Sequence, residues 1–106
     1  MSPQRVVLVE LAEETAAIPL ARMLRDAGLE VVHVGHLDTA EKIVRTTEQE
    51  DPDILGLLGG PVPEGLAEAL SGATVIELGE ESPEKAAEML VGGRSHTLGT
   101  PSDRVR

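Results

Sequence analysis

Residues 20–58, LARMLRDAGLEVVHVGHLDTAEKIVRTTEQEDPDILGLL, change their hydrophobic period three times. Leu20, Met23, Leu24 and Ala27 fall at helical spacing, and Gly28 follows as a stop signal. EVVHV at 30–34 is a β-branched run that closes on Gly35. Asp38 and Glu41 stand three apart, as in a capping box, ahead of Ile43 and Val44, and predict a helix from about Thr39 to Glu50. Asp51-Pro52-Asp53 breaks that helix, and ILGLL at 54–58 is the unbroken apolar run that a strand buried on both faces requires. Helices and strands alternating across short turns point to a parallel sheet covered on both faces.

The same alternation continues outward. VVLV at 6–9 reads as a first buried strand, and Pro19 is harmless only in a first helical turn, so the helix after it should begin near Thr15 to Ile18. Gly59-Gly60-Pro61-Val62-Pro63 is a rigid turn, with Pro63 suited to opening a short helix that carries Leu66, Ala69 and Leu70 and ends at Gly72. TVIEL at 74–78 is a fourth strand, and Ser82-Pro83-Glu84 caps a last helix expected to stop at Gly92-Gly93. The expected fold is a small flavodoxin-like (Rossmann-like) α/β three-layer sandwich with a four-stranded parallel sheet in the order 2-1-3-4. Right-handed crossovers put the first and last helices on one face and the second and third on the other. Residues 1–93 form this domain, and 94–106, which lack periodicity, read as a flexible tail.

Composition removes several functions. There is no cysteine, so disulfides and thiolate chemistry are excluded, and no aromatic residue, so there is no platform for stacked bases. The net charge is −10; three arginines and one aspartate lie from Arg94 onward, so residues 1–93 carry −12. A surface of that sign argues against nucleic acid. No apolar run approaches the roughly 20 residues needed to span a bilayer, and MSPQR leads straight into a strand. The expectation is a cytoplasmic protein with neither a membrane nor a nucleic-acid partner.

In a sheet of this order, ligands bind outside the carboxyl ends of the strands, where the order reverses. The candidate rim is Glu10 to Glu14, Gly59 to Val62 and Gly79 to Ser82, with His36 nearby; Glu10, Glu14, His36, Gly59, Gly60 and Gly79 are its candidate binding residues. Each has a plain alternative. The Gly59-Gly60 turn exposes N–H groups ahead of a helix, but two prolines remove donors, no Lys or Ser/Thr follows, and Glu64 would repel an anion. Glu13, Glu14, Glu80 and Glu81 form an acidic edge that water solvates more readily than a cation neutralises. No histidine pair has metal-site spacing, and no Ser lies beside a His to build a nucleophile, so the domain reads as no enzyme by itself. A phosphoacceptor reading fails because Leu58 and Gly59 stand where an aspartate would be needed.

Residues 20–57, with their RDAG helix end, Gly-terminated strand, threonine-led helix and acidic break before the third strand, resemble the cobalamin-binding domain of methylmalonyl-CoA mutase and related corrinoid proteins. ATVIELGEESPEKAAEML at 73–90 resembles that family's last strand and helix. The resemblance implies a cofactor whose tail passes between the first and third strands, with D-x-H-x-x-G after the first strand supplying the cobalt ligand. Here that turn is ELAEETAA, without Asp, His or Gly. The family's Ser-x-Leu is replaced around Leu57-Leu58-Gly59, and its later Gly-Gly falls in a strand-helix unit that is missing between Leu70 and Ala73.

The resemblance with its motifs altered implies a degenerate cobalamin-binding-like module: a non-catalytic accessory protein that holds no cofactor and meets a mutase-type partner or a second copy. One alternative is a genuine corrinoid carrier subunit of an acyl-CoA mutase or methyltransferase system, with cobalamin bound and His36 in the axial position. Another is a self-associating or small-ligand-binding α/β domain. The first reading predicts that Leu11, Ile18 and Leu58 fill the slot between the first and third strands. His33, inside the second strand, is expected to face a helix or an edge.

Overall fold

The computed structural model describes residues 4–70, 72 and 74–97. Strands β1 (Arg5–Glu10), β2 (Glu30–His36), β3 (Ile54–Leu58) and β4 (Thr74–Gly79) alternate with helices α1 (Ala17–Asp26), α2 (Ala40–Glu50), α3 (Leu66–Ala69) and α4 (Pro83–Thr97). All pairings are parallel and the sheet runs β2-β1-β3-β4, as the alternation predicts. The strand order reverses between β1 and β3, which fixes the rim where the turns after those two strands meet.

Alternate residues of each strand feed two cores, because side chains on a strand point to opposite faces. Val6 and Leu8 of β1, with Ile54 and Leu58 of β3, pack under Leu20 and Leu24 of α1 and Ala86 and Leu90 of α4. Val7 and Val9, with Leu55 and Leu57, pack under Ile43 of α2 and Leu66 and Leu70 around α3. β3 is buried along its whole length, the environment that an unbroken ILGLL run calls for. Gly56 lets α4 approach: a Cβ there would lie 3.1 Å from Leu8 and 3.4 Å from Leu90.

Three local expectations change. The N-cap of α2 is Thr39, whose Oγ1 accepts from the Lys42 amide at 3.2 Å, while Asp38 turns outward to the Lys42 ammonium at 3.1 Å. The hydroxyl wins because Thr39 already has the extended backbone that a cap residue needs. The short helix begins at Leu66 rather than at Pro63, since Gly65 takes a left-handed φ of 81° ahead of it. Last, α4 runs through Gly92-Gly93 to Thr97. Glycine lowers helix propensity by about 1 kcal/mol relative to alanine but does not forbid continuation. Ser82 caps α4 as expected, accepting from the Lys85 amide. Positions 98–106, the rest of the expected tail, lie outside the described residues.

Candidate functional site

Two irregularities shape the rim. On β2 the register slips by one residue, so that Leu8 pairs with His33, Val9 with Gly35 and Glu10 with His36. Gly35 takes φ 87° there, a backbone suited to a bulge. His33 keeps the regular register opposite Leu8, and the bulge brings His36 opposite Glu10. A second slip pairs Leu58 with Gly79, and the Gly59 amide donates to the Gly79 carbonyl at 2.7 Å.

Glu10 ends β1 and sits at the centre of the rim. Its side chain is only 15 % exposed, and both oxygens are taken. The Thr15 hydroxyl donates to Oε2 at 2.5 Å, and His33 Nε2 lies 2.8 Å from Oε1. Burial pushes the Glu10 pKa up, but the hydrogen bonds from Thr15 and His33 and the positive fields of His33 and His36 outweigh it, leaving the carboxyl below its ordinary value. Glu10 is therefore ionised at neutral pH, and His33 is the donor in their hydrogen bond. Thr15 Oγ1 in turn accepts from the Ala17 amide at 3.1 Å, supplying the start of α1 with a cap that Ala16 cannot offer.

The turn between β1 and α1 lies directly on the end of β3. The Leu11 amide donates to the Leu58 carbonyl at 2.6 Å. Gly59 takes φ 93°, and a Cβ placed on it would meet the Ala12 Cβ at 2.9 Å, the Ala12 nitrogen at 3.0 Å and the Thr15 methyl at 3.3 Å. Gly60 stands at 3.5 Å from the Leu11 carbonyl by the same measure. The space between the ends of β1 and β3 is thus filled, but not by Ile18. Leu58 is buried and Leu11 half-buried, whereas Ile18 is 64 % exposed. The buried stripe of α1 is Ala17, Leu20, Ala21 and Leu24, which turns Ile18 outward. Ala12 and Thr15 take the place assigned to it.

The remaining candidates are dispersed. Glu14 is exposed, as are Glu13, Glu80 and Glu81, and among the described residues none of these forms an ion pair. His36 is exposed, and Gly79 contributes only its carbonyl to the neighbouring turn. Several cations are engaged elsewhere: Arg5 clasps Glu30 and Glu50 at the opposite end of the sheet, and Lys42 and Arg45 pair along α2. Among the described residues no group of three or more His, Asp or Glu could hold a metal ion, and no helix is long and apolar enough to cross a membrane. Away from the rim, α2 and α3 leave a shallow groove of about 390 Å³ over Ala40, Val44 and Ala69, edged by Glu41, Arg45 and Glu48.

Two partners of Glu10 escaped the reading of the sequence. Thr15 is a hydroxyl just before a helix, a capping signal visible in ETAAIP. His33 carried no such signal, because its contact with Glu10 depends on the pairing of β1 with β2, which no spacing in the sequence displays.

No family model matches the chain. Over 59 residues it is 39 % identical to the 2-hydroxyisobutanoyl-CoA mutase small subunit of Aquincola tertiaricarbonis, a match covering 53 % of the chain and 43 % of that protein. The chain thus spans less than half the length of the curated relative it matches. A solved phosphate-loop protein shares the architecture, with a TM-score of 0.51 over 95 % of this chain and 99 % of that one. At 20 % identity this likeness concerns the fold alone. Similarity to a mutase small subunit agrees with the relation read from residues 20–57.

Proposed function

We propose that the chain is a mutase-associated, cobalamin-binding-like module that holds no corrinoid and acts as a non-catalytic protein partner. The observation that carries this reading is the seat of Ala12 on Gly59, 2.9 Å from where a Cβ would stand. The cobalamin-binding family it resembles implies a cofactor tail between the first and third strands, and these residues do not fit that group. The turn occupies the space, its backbone is bonded to β3, and Glu10 spends both oxygens inside the protein. No imidazole stands in the β1–α1 turn to reach cobalt. The match to a mutase small subunit supports a role beside a larger mutase chain, and the exposed carboxylates Glu13, Glu14, Glu80 and Glu81 leave the rim able to face a basic protein surface.

Absorption titration with hydroxocobalamin tests the reading. The expected outcome is the spectrum of free hydroxocobalamin at every protein concentration. Saturable binding with a shifted spectrum, lost in His36→Ala, would instead make the protein a corrinoid carrier.

A further inference from the structure

Among the described residues, two hydrogen bonds tie the β1–α1 turn to the sheet. At its start the Leu11 amide bonds the Leu58 carbonyl; at its end the Thr15 hydroxyl bonds the Glu10 carboxylate. Between them, Ala12, Glu13 and Glu14 make no hydrogen bond within the protein among the described residues, and Glu13 and Glu14 are exposed. The segment has no proline, and a backbone without internal hydrogen bonds can lift once its packing and its end ties give way. The hydrogen bonds that keep Ala12 packed on Gly59 are therefore those two ties.

The second tie has unusual reach. Glu10 is held by the backbone on both sides, registered against Leu58 of β3 and His36 of β2, with its carbonyl accepting from the Leu37 amide at 3.0 Å. Its carboxylate is fixed by His33 of the edge strand at 2.8 Å. Thr15, the residue it grips, also caps the first amide of α1. One side chain thus links the edge strand, the central strand, the turn and the helix start, and a charge-assisted hydrogen bond of this kind is about twice as strong as a neutral one.

We infer that Glu10 is a latch: with Thr15 as its catch and His33 as its brace, it holds the β1–α1 turn shut over the end of β3 as a strap that opens when the Thr15 bond is broken. The inference rests on the reading that this turn closes the cofactor slot, and adds what keeps it closed. The turn is then a movable part, and the slot beneath it, floored by Gly59 and Gly60, is revealed by losing one hydroxyl.

Amide hydrogen exchange followed by NMR on the full chain tests this. Thr15→Val keeps the shape and removes the hydroxyl; the Leu11 amide should exchange roughly tenfold faster, the effect of losing a hydrogen bond of ordinary net strength. Thr15→Ser should return it to the wild-type rate. The Gly59 amide, bonded to Gly79 on β4, and the core amides of Val7 and Leu55 should not change. His33→Leu should speed Leu11 exchange by a smaller factor, since it removes only the brace. Unchanged Leu11 exchange in Thr15→Val overturns the latch, and so does an equal acceleration at Val7 and Leu55, which would mean general loss of stability. The hydroxocobalamin titration of the wild-type protein is separate. Uptake there would defeat the proposed function and leave the exchange result standing.

Discussion

At the scale of single residues, Glu10 and Gly59 carry the account. Glu10→Ala leaves the Thr15 hydroxyl and the His33 ring without their shared acceptor, and should cost about 1–3 kcal/mol in urea unfolding. The pH dependence follows from the direction of its shift. A carboxyl whose folded pKa is lowered adds stability that is present above its unfolded pKa and is lost as the pH falls through the folded value. Wild type should therefore lose its advantage over Glu10→Ala on acidification below the ordinary glutamate range, and the two unfolding midpoints should be furthest apart near neutrality. Gly59→Ala meets both a left-handed backbone and the Ala12 methyl, and should destabilise by about 1–3 kcal/mol. Adding Ala12→Gly should recover the steric part, and a double-mutant cycle of melting curves reads the coupling. No residue pattern announced this contact. Gly59 offered only a weak phosphate-cradle reading from its neighbours Gly60 and Pro61, and only the fold shows a methyl lying over it.

Among the elements, the best-read parts are those whose local chemistry and tertiary role agree. VVLV, ILGLL and the Leu20–Leu24 pair are apolar where the sheet faces and the buried stripe of α1 require it, so their assignments hold within a residue or two. The α2 cap was legible as a cap but not as to which side chain makes it, since Asp38 and Thr39 are both good candidates and backbone geometry chooses. Thr39→Ala should cost about 1 kcal/mol, and Asp38→Ala clearly less because its pair with Lys42 is exposed; thermal melts of the two variants give the comparison. The bulge in β2 was not legible. Gly35 read as a strand end, whereas it lets the strand continue to His36 and registers that residue opposite Glu10.

Over the whole molecule, charge and sheet order are the informative quantities. The order 2-1-3-4, taken as that of a flavodoxin-like sheet and found in the fold, put the β1 and β3 turns side by side before any contact was known. The excess of negative charge is spread over a surface whose rim carboxylates Glu13, Glu14, Glu80 and Glu81 lack cationic partners among the described residues. Such a surface repels itself, so raising salt from about 10 to 150 mM should raise the melting temperature as the screening length shrinks from about 30 to 8 Å. A melting temperature that falls with salt would mean that ion pairs such as Arg5–Glu30 outweigh the repulsion.

The central claim is that the turn after β1 sits in the space a corrinoid tail would need. The most direct measurement is the nuclear Overhauser effect between the Ala12 methyl and the Gly59 α-protons, recorded without and with excess hydroxocobalamin. A turn seated on Gly59 gives a strong cross-peak in both spectra, with the Leu11 and Gly59 amide shifts unchanged. Loss of the cross-peak on adding hydroxocobalamin, with both amides moving, would contradict it.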